Sequence, residues 1–187
     1  MKYLLNGQES ERLQFRLLNK DDYPIWLAFF KHPDVSKYLG MDIFPTAQIK
    51  NDKWFELVFN RYDNDLGGMN VLIDKETNEF VGQCGLLVQK IDGKNELEIG
   101  YSILPKFWHK GYASEAAKKC RDFAFENNFA DSLISIIHID NIGSQKVAEN
   151  NGMVARSQSE YKGMPVDIYR IYKSEWLELI QKKQIDL

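Results

Sequence analysis

The sequence predicts a mixed α/β fold in which a mostly antiparallel central sheet is flanked by helices, and three features carry that prediction. Apolar residues alternate at period 2 near the start, three strand-like runs joined by turn residues fill the middle, and the period changes to 3.6 after Pro105. Hairpins between the strands preclude an all-parallel doubly wound sheet.

Taken in order, Leu13, Phe15 and Leu17 alternate with Gln14 and Arg16, as in a strand with one buried face. Asn19 then offers an N-cap, Asp21 and Asp22 suit a first turn, and Pro24 falls early enough to be tolerated before Ile25, Trp26, Leu27, Phe29 and Phe30. His32-Pro33 ends this helix, because the residue before a proline is driven out of the helical region. Pro45-Thr46 opens a second, longer helix with Ile49, Lys53, Trp54, Leu57, Val58 and Arg61 divided between an apolar and a polar face, and Gly67-Gly68 is expected to close it. Strands are expected over 69–74, 79–89 and 96–104, with Asp92-Gly93 as a hairpin turn.

After Pro105, the stripe Ala113, Ala116, Ala117, Cys120, Phe123 and Ala124 marks an amphipathic helix from 112 to about 127. The continuous β-branched run over 133–139 suits a strand buried on both faces. A short helix over 144–151 ends at Gly152, strands over 153–159 and 166–171 follow, and a last helix starts at Ser174. The order is β, α, α, three β, α, β, α, two β, α.

With 187 residues, no internal repeat and no linker-like tract, the chain is expected to be a single domain spanning 1–187. Its 44% hydrophobic and 27% charged residues can bury a core and do not resemble a disordered or disulfide-framework chain. The net charge of −3 supplies no drive onto nucleic acid or an anionic membrane. No apolar run approaches the roughly 20 residues needed to span a bilayer, and residues 1–11 lack a signal-peptide pattern, so the expected location is cytoplasmic. Cys84 and Cys120, without CxxC or Cys/His spacing, read as reduced core thiols, and His32, His109 and His138 show no metal-ligand spacing. No metal is expected.

Two segments could carry chemistry. In ELEIGYSILPKFWHKGYASE, residues 96–115, a strand runs into a loop holding Lys106 and Lys110, and Gly111 opens a helix whose first turn holds Tyr112, Ala113 and Ser114. The free N–H groups of a helix start attract an anion, and small residues let a phosphate approach. The alternative is a strand-to-helix turn whose glycine solves a backbone problem. With no GxxxxGK[ST] and only one glycine where GxGxxG needs three, the two common nucleotide motifs are absent. In SIIHIDNIGSQKVAENNGM, residues 135–153, Asn141 and Ser144 either cap the following helix or bond a ligand at the strand end.

These two segments, about thirty residues apart, are where the chain resembles the GNAT superfamily of acyl-CoA-dependent N-acetyltransferases. ERLQFRLLNKDDYPIWL, LEIGYSILPKFWHKGYASEAA, DNIGSQKVAENNGM and the end of the chain from Tyr169 to Trp176 look like the branch containing the ribosomal-protein N-terminal acetyltransferases. The resemblance implies the GNAT fold, with a splay between the fourth and fifth strands, and acetyl-CoA as cosubstrate. It places the diphosphate on a loop written [Q/R]xxGx[G/A], matched here by Gly111 and Ala113, with Trp108 in the first position. The implied cofactor-binding residues are Ile103, Leu104, His109, Lys110, Gly111, Tyr112, Ala113, Ser114, Asn141 and Ser144. The pantetheine arm is implied to lie along residues 98–104 as an added strand.

Acetyl transfer to an amine requires that an ammonium lose a proton and that a departing thiolate gain one. Alternation sets Glu96, Glu98, Gly100 and Ser102 on one strand face, and Glu98 matches the Glu of the family's EIGY-like strand, so it is the expected base; the alternative is a solvent-facing carboxylate. Many members carry Tyr at the position of Ala148, and its absence leaves Ser144 as the implied acid, with Tyr101 and Tyr112 as nearby hydroxyls. No nucleophile and base show recognisable spacing, so direct attack on the thioester is expected. The implied acceptor is a peptide N-terminus or a small amine, and the expected assembly is a monomer or homodimer. The rival reading is a catalytically silent acyl-CoA-binding module, favoured by the missing Tyr.

Overall fold

A computed structural model of the chain describes residues 2–185. Strand β1 (Leu13–Leu17) buries Leu13 and Phe15 completely and pairs antiparallel with β2 (Gly67–Asp74). Asn19 caps a 3-10 turn through a reciprocal capping box with Asp22, and the chain passes directly into α1 (Tyr23–Lys31). Thr46 Oγ1 accepts from Ile49 N at 3.2 Å and starts α2 (Ala47–Asp63). The two helices join through an aromatic cluster in which Trp26 stacks on Phe29 at 4.1 Å and meets Trp54 at 5.7 Å.

One boundary departs from expectation. Gly67 and Gly68 do not close α2, which ends at Asp63; they are the first residues of β2. A Cβ on Gly67 would lie 2.0 Å from the Leu86 carbonyl oxygen and one on Gly68 would lie 2.7 Å from the Tyr62 ring. The pair is there because the neighbouring strand and helix approach too closely for a side chain.

Strands β3 (Phe80–Ile91) and β4 (Lys94–Ile103) form a hairpin about Asp92 and Gly93, both at positive φ. A 3-10 turn over Pro105–Phe107 leads to α3 (Tyr112–Glu126), then β5 (Ser132–His138) and α4 (Ile142–Asn150). The hairpin of β6 (Val154–Tyr161) and β7 (Met164–Tyr172) follows, and α5 (Lys173–Ile185) ends the described chain. The sheet order is β1-β2-β3-β4-β5-β7-β6, antiparallel at every pair except β4 with β5.

Alternation assigns the faces. Glu98 pairs with Leu87, Gly100 with Gly85 and Ser102 with Gln83, so these side chains share a face. The indole Nε1 of Trp54 donates to Gln83 Oε1 at 3.1 Å, which places α2 over that face. Helix α3 covers the other, where Cys84 of β3 and Cys120 of α3 are buried free thiols with sulfurs 3.5 Å apart. No helix among the described residues is long and apolar enough to cross a membrane.

Candidate active site

The parallel neighbours β4 and β5 touch at one register position, Glu98 opposite Ile134, and separate beyond it. The backbone of β4 shows what this leaves open. Leu104 N donates to Val81 O at 2.9 Å, so even-numbered residues of β4 point their peptide groups at β3 and odd-numbered ones point toward β5. Past the single contact, Ile99 O accepts from Ser135 Oγ at 2.9 Å and Ile103 O accepts from Trp108 Nε1 at 2.7 Å. The N–H groups of Tyr101 and Ile103 and the carbonyl of Tyr101 face the gap with no strand to pair them.

The loop after β4 holds its shape by contacts made behind it. Trp108 Nε1 ties the loop to the end of the strand, and His109 and Gly111 adopt positive φ of 60° and 82°. Glu115, on the first turn of α3, accepts from Ser10 Oγ and Arg12 N at 2.7 Å each and from Arg12 Nε at 2.6 Å. Burial would raise the Glu115 carboxyl, and these three donors outweigh it, so its pKa is lowered. Arg12 also donates from Nη1 to Lys110 O and lies 4.3 Å over the Tyr112 ring, whose hydroxyl donates to Asp74. With side chains braced behind the turn, the backbone N–H groups from His109 to Ser114 have no acceptor among the described residues; the first bond into the helix is Glu115 N to Gly111 O.

A cavity of about 180 Å³ lies where the splay opens beneath α2. Glu98 sits in its wall, partly buried, accepting from Gln89 Nε2 at 2.7 Å and Ile136 N at 3.4 Å. Burial raises its pKa; those two donors, and then Arg61 and Lys162, oppose the rise. Arg61, at the end of α2, reaches Val88 O from Nη2 at 2.7 Å, and burial lowers its pKa. Lys162 lines the cavity from the tip of the β6–β7 hairpin with its stem exposed, and desolvation lowers its pKa against the pull of Glu98. Asn141 Oδ1 accepts from Ser144 N at 3.1 Å, the cap expected of it, while Ser144 lines the cavity and its hydroxyl has no partner among the described residues. Tyr101 crosses the gap and donates to Ser144 O at 2.8 Å.

The acetyltransferase (GNAT) domain model matches residues 12–154. The chain belongs to the GNAT acetyltransferase family. The GNAT relatives include the uncharacterized N-acetyltransferase p20 of Bacillus licheniformis, 29% identical over 173 residues, which span 86% of this chain and 91% of that protein. Among solved structures, an acetyltransferase from Agrobacterium tumefaciens str. C58 superposes with a TM-score of 0.75 at 25% identity, covering 92% of this chain and 97% of that one. The fold is also that of RimL, a ribosomal L7/L12 alpha-N-protein acetyltransferase in complex with coenzyme A, with a TM-score of 0.73 at 17% identity and coverage of 89% and 97%. This GNAT chain is accordingly an acetyltransferase, with the mixed sheet and the parallel β4–β5 pair of that fold.

Within this GNAT frame, the loop residues His109 to Ser114 are contiguous, and Glu98, Asn141 and Ser144 share one cavity. Leu104 stands apart. Its side chain is in the core, its N–H is committed to Val81 and its carbonyl to Phe107, so it has no group to offer an arm lying in the gap. Ile103 keeps only its N–H, because Trp108 takes its carbonyl. The Tyr112 hydroxyl is bound to Asp74, which leaves only its backbone N–H free, and Lys106 is drawn off by Glu79 at 2.6 Å. Ala148 is buried in the core and does not face the cavity. Among the described residues no three His, Cys, Asp or Glu side chains gather as metal ligands. Sequence reading did not place Arg61, Gln89, Tyr161 or Lys162 at the site. Arg61 reads as the polar face of a helix, Lys162 falls between two expected strands, and neither pattern encodes a cavity.

Proposed function

We propose that the chain is an acetyl-CoA-dependent N-acetyltransferase that uses Glu98 to deprotonate a primary ammonium, which then attacks the thioester directly. The residues present suit the donor. The unpaired amides from His109 to Ser114 would hold a diphosphate, and the unpaired N–H groups of Tyr101 and Ile103 would bond an amide-bearing arm lying in the splay. When bound, acetyl-CoA supplies an activated acetyl group at the cavity.

The chain's own residues then have three tasks. The Tyr101 N–H, fixed in β4, polarises a carbonyl placed in the gap without reorganising. Glu98, whose pKa burial raises, becomes a stronger base than an exposed carboxylate and accepts the ammonium proton directly or through one water. Among the described residues the Ser144 hydroxyl has no protein partner, which suits it to pass a proton to the departing thiolate as it takes one from the attacking nitrogen. The observation carrying the reading is Glu98 at the only register position joining the two splayed strands, where donor gap and cavity meet.

The test is Glu98→Gln. It is expected to lower kcat by about 100-fold or more, in line with loss of a general base, while calorimetry with acetyl-CoA gives an unchanged Kd. Unimpaired turnover with an intact pH-rate profile would remove Glu98 from the chemistry.

A further inference from the structure

The proposed chemistry uses Glu98 and the splay and leaves four of the side chains lining the cavity unexplained, Arg61, Gln89, Tyr161 and Lys162. Arg61 is 7% exposed, and its Nη2 is spent on Val88 O, yet its Nε is buried without any partner. Glu98 does not fill that role: its oxygens accept from Gln89 and Ile136, and the two side chains form no ion pair. Lys162 likewise joins no ion pair among the described residues; its ammonium lies 5.3 Å over the Tyr161 ring. Two cations and one carboxylate therefore share a small, partly desolvated space.

Two cations against one carboxylate leave the cavity with excess positive charge, and an incoming carboxylate balances it through charge-assisted bonds. We infer that the acceptor is an amino-carboxylate: its ammonium is met by Glu98, and a carboxylate a few bonds away is held by Arg61 and Lys162. This rests on the reading that the cavity takes the amine for acetyl transfer. The same charges work against polyamines, whose second cation would face Arg61 and Lys162. Two sources present this chemistry, a free amino acid and a peptide whose first residue is Asp or Glu.

The experiment first measures acetyl-CoA binding by calorimetry, then the rate of CoA release with four acceptor sets and spermidine. The sets are the free amino acids, their carboxamides, peptides beginning with Asp or Glu, and the same peptides beginning with Asn or Gln. In at least one matched pair the carboxylate is expected to exceed its amide by about tenfold to a hundredfold in kcat/KM, and which pair does so identifies the source. Lys162→Met, at an exposed hairpin tip, is expected to cut that ratio about tenfold, and Lys162→Glu to reverse it. Arg61→Gln should move the ratio the same way, with its melting temperature as the check on folding. Amides or spermidine reacting as well as the carboxylates, or a ratio unmoved by Lys162→Glu, overturns the inference and leaves acetyl transfer standing. Binding of acetyl-CoA with no turnover in any set overturns both the inference and the amine-acceptor reading. Failure to bind acetyl-CoA removes the donor site and the inference with it.

Discussion

Gly111 is the position at which the proposed anion loop is most exposed to a single substitution. It is the residue before the first turn of α3, at φ 82°, where an L-side chain meets its own backbone. A Cβ there would contact only Arg12 Nη2, at 3.4 Å, the movable end of a long side chain. The cost of Gly111→Ala is therefore conformational, about 1–2 kcal/mol for a left-handed L-residue. For a chain of this length each kcal/mol lowers Tm by about 2–4 °C, so a fall of about 2–8 °C is expected. If the loop escapes the strain by leaving the left-handed region, the amides from His109 to Ser114 turn away from a common point and acetyl-CoA affinity falls about tenfold, a loss of about 1.4 kcal/mol. Gly111→Asn, which tolerates this conformation, should recover part of both losses. Thermal melts with and without acetyl-CoA read the two effects together. An alanine variant that melts and binds like the parent would refute the claim that this backbone geometry builds the site.

Three further outcomes follow from the same contacts. Glu98 has a raised folded pKa, so the folded state favours its neutral form and the stability it lends at low pH is lost as pH rises through that pKa; Glu98→Gln should melt above the parent at pH 8, with the gap closing below about pH 4. A gap independent of pH would show that burial is not the cause. Glu115 is the opposite case: its lowered pKa gives stability present at neutral pH and lost as pH falls, so Glu115→Gln should cost about 1–2 kcal/mol at pH 7, discounted for the half-exposed Arg12, and progressively less in acid. Equal losses at pH 7 and pH 3 in urea melts would contradict the ion pair. Ser135→Ala removes the hydroxyl bridging the splay to Ile99 O and leaves that buried carbonyl unmet, an expected loss of about 1–2 kcal/mol; no shift in the denaturation midpoint would mean that the bridge carries no load.

The elements that sequence reading placed well have local causes. Leu13–Leu17 alternates, Asn19 and Thr46 carry capping oxygens, Asp92-Gly93 supplies two positive φ angles, and each of these appears where expected. Gly67-Gly68 was misleading because a glycine pair marks either a helix stop or a close approach of backbones, and only the distance to Leu86 O separates the two. The turn at Gly111 and the start of α3 at Tyr112 were legible because a glycine at positive φ before a stripe of small residues is a local signal. Leu104 was not, since which peptide groups of β4 are free depends on the parity of its pairing with β3.

Composition, periodicity and turn chemistry were enough to establish the order of strands and helices, because that order depends on residues within a few positions of one another. The fate of Glu98 lay beyond them. Alternation places it on the polar side of β4, and whether that side meets water or a cavity is decided by α2, which brings Arg61 over it, and by the β6–β7 hairpin, which brings Lys162. Desolvation and Coulomb interaction depend on distances in space, and residues 61, 98 and 162 come together only after the sheet has closed around them.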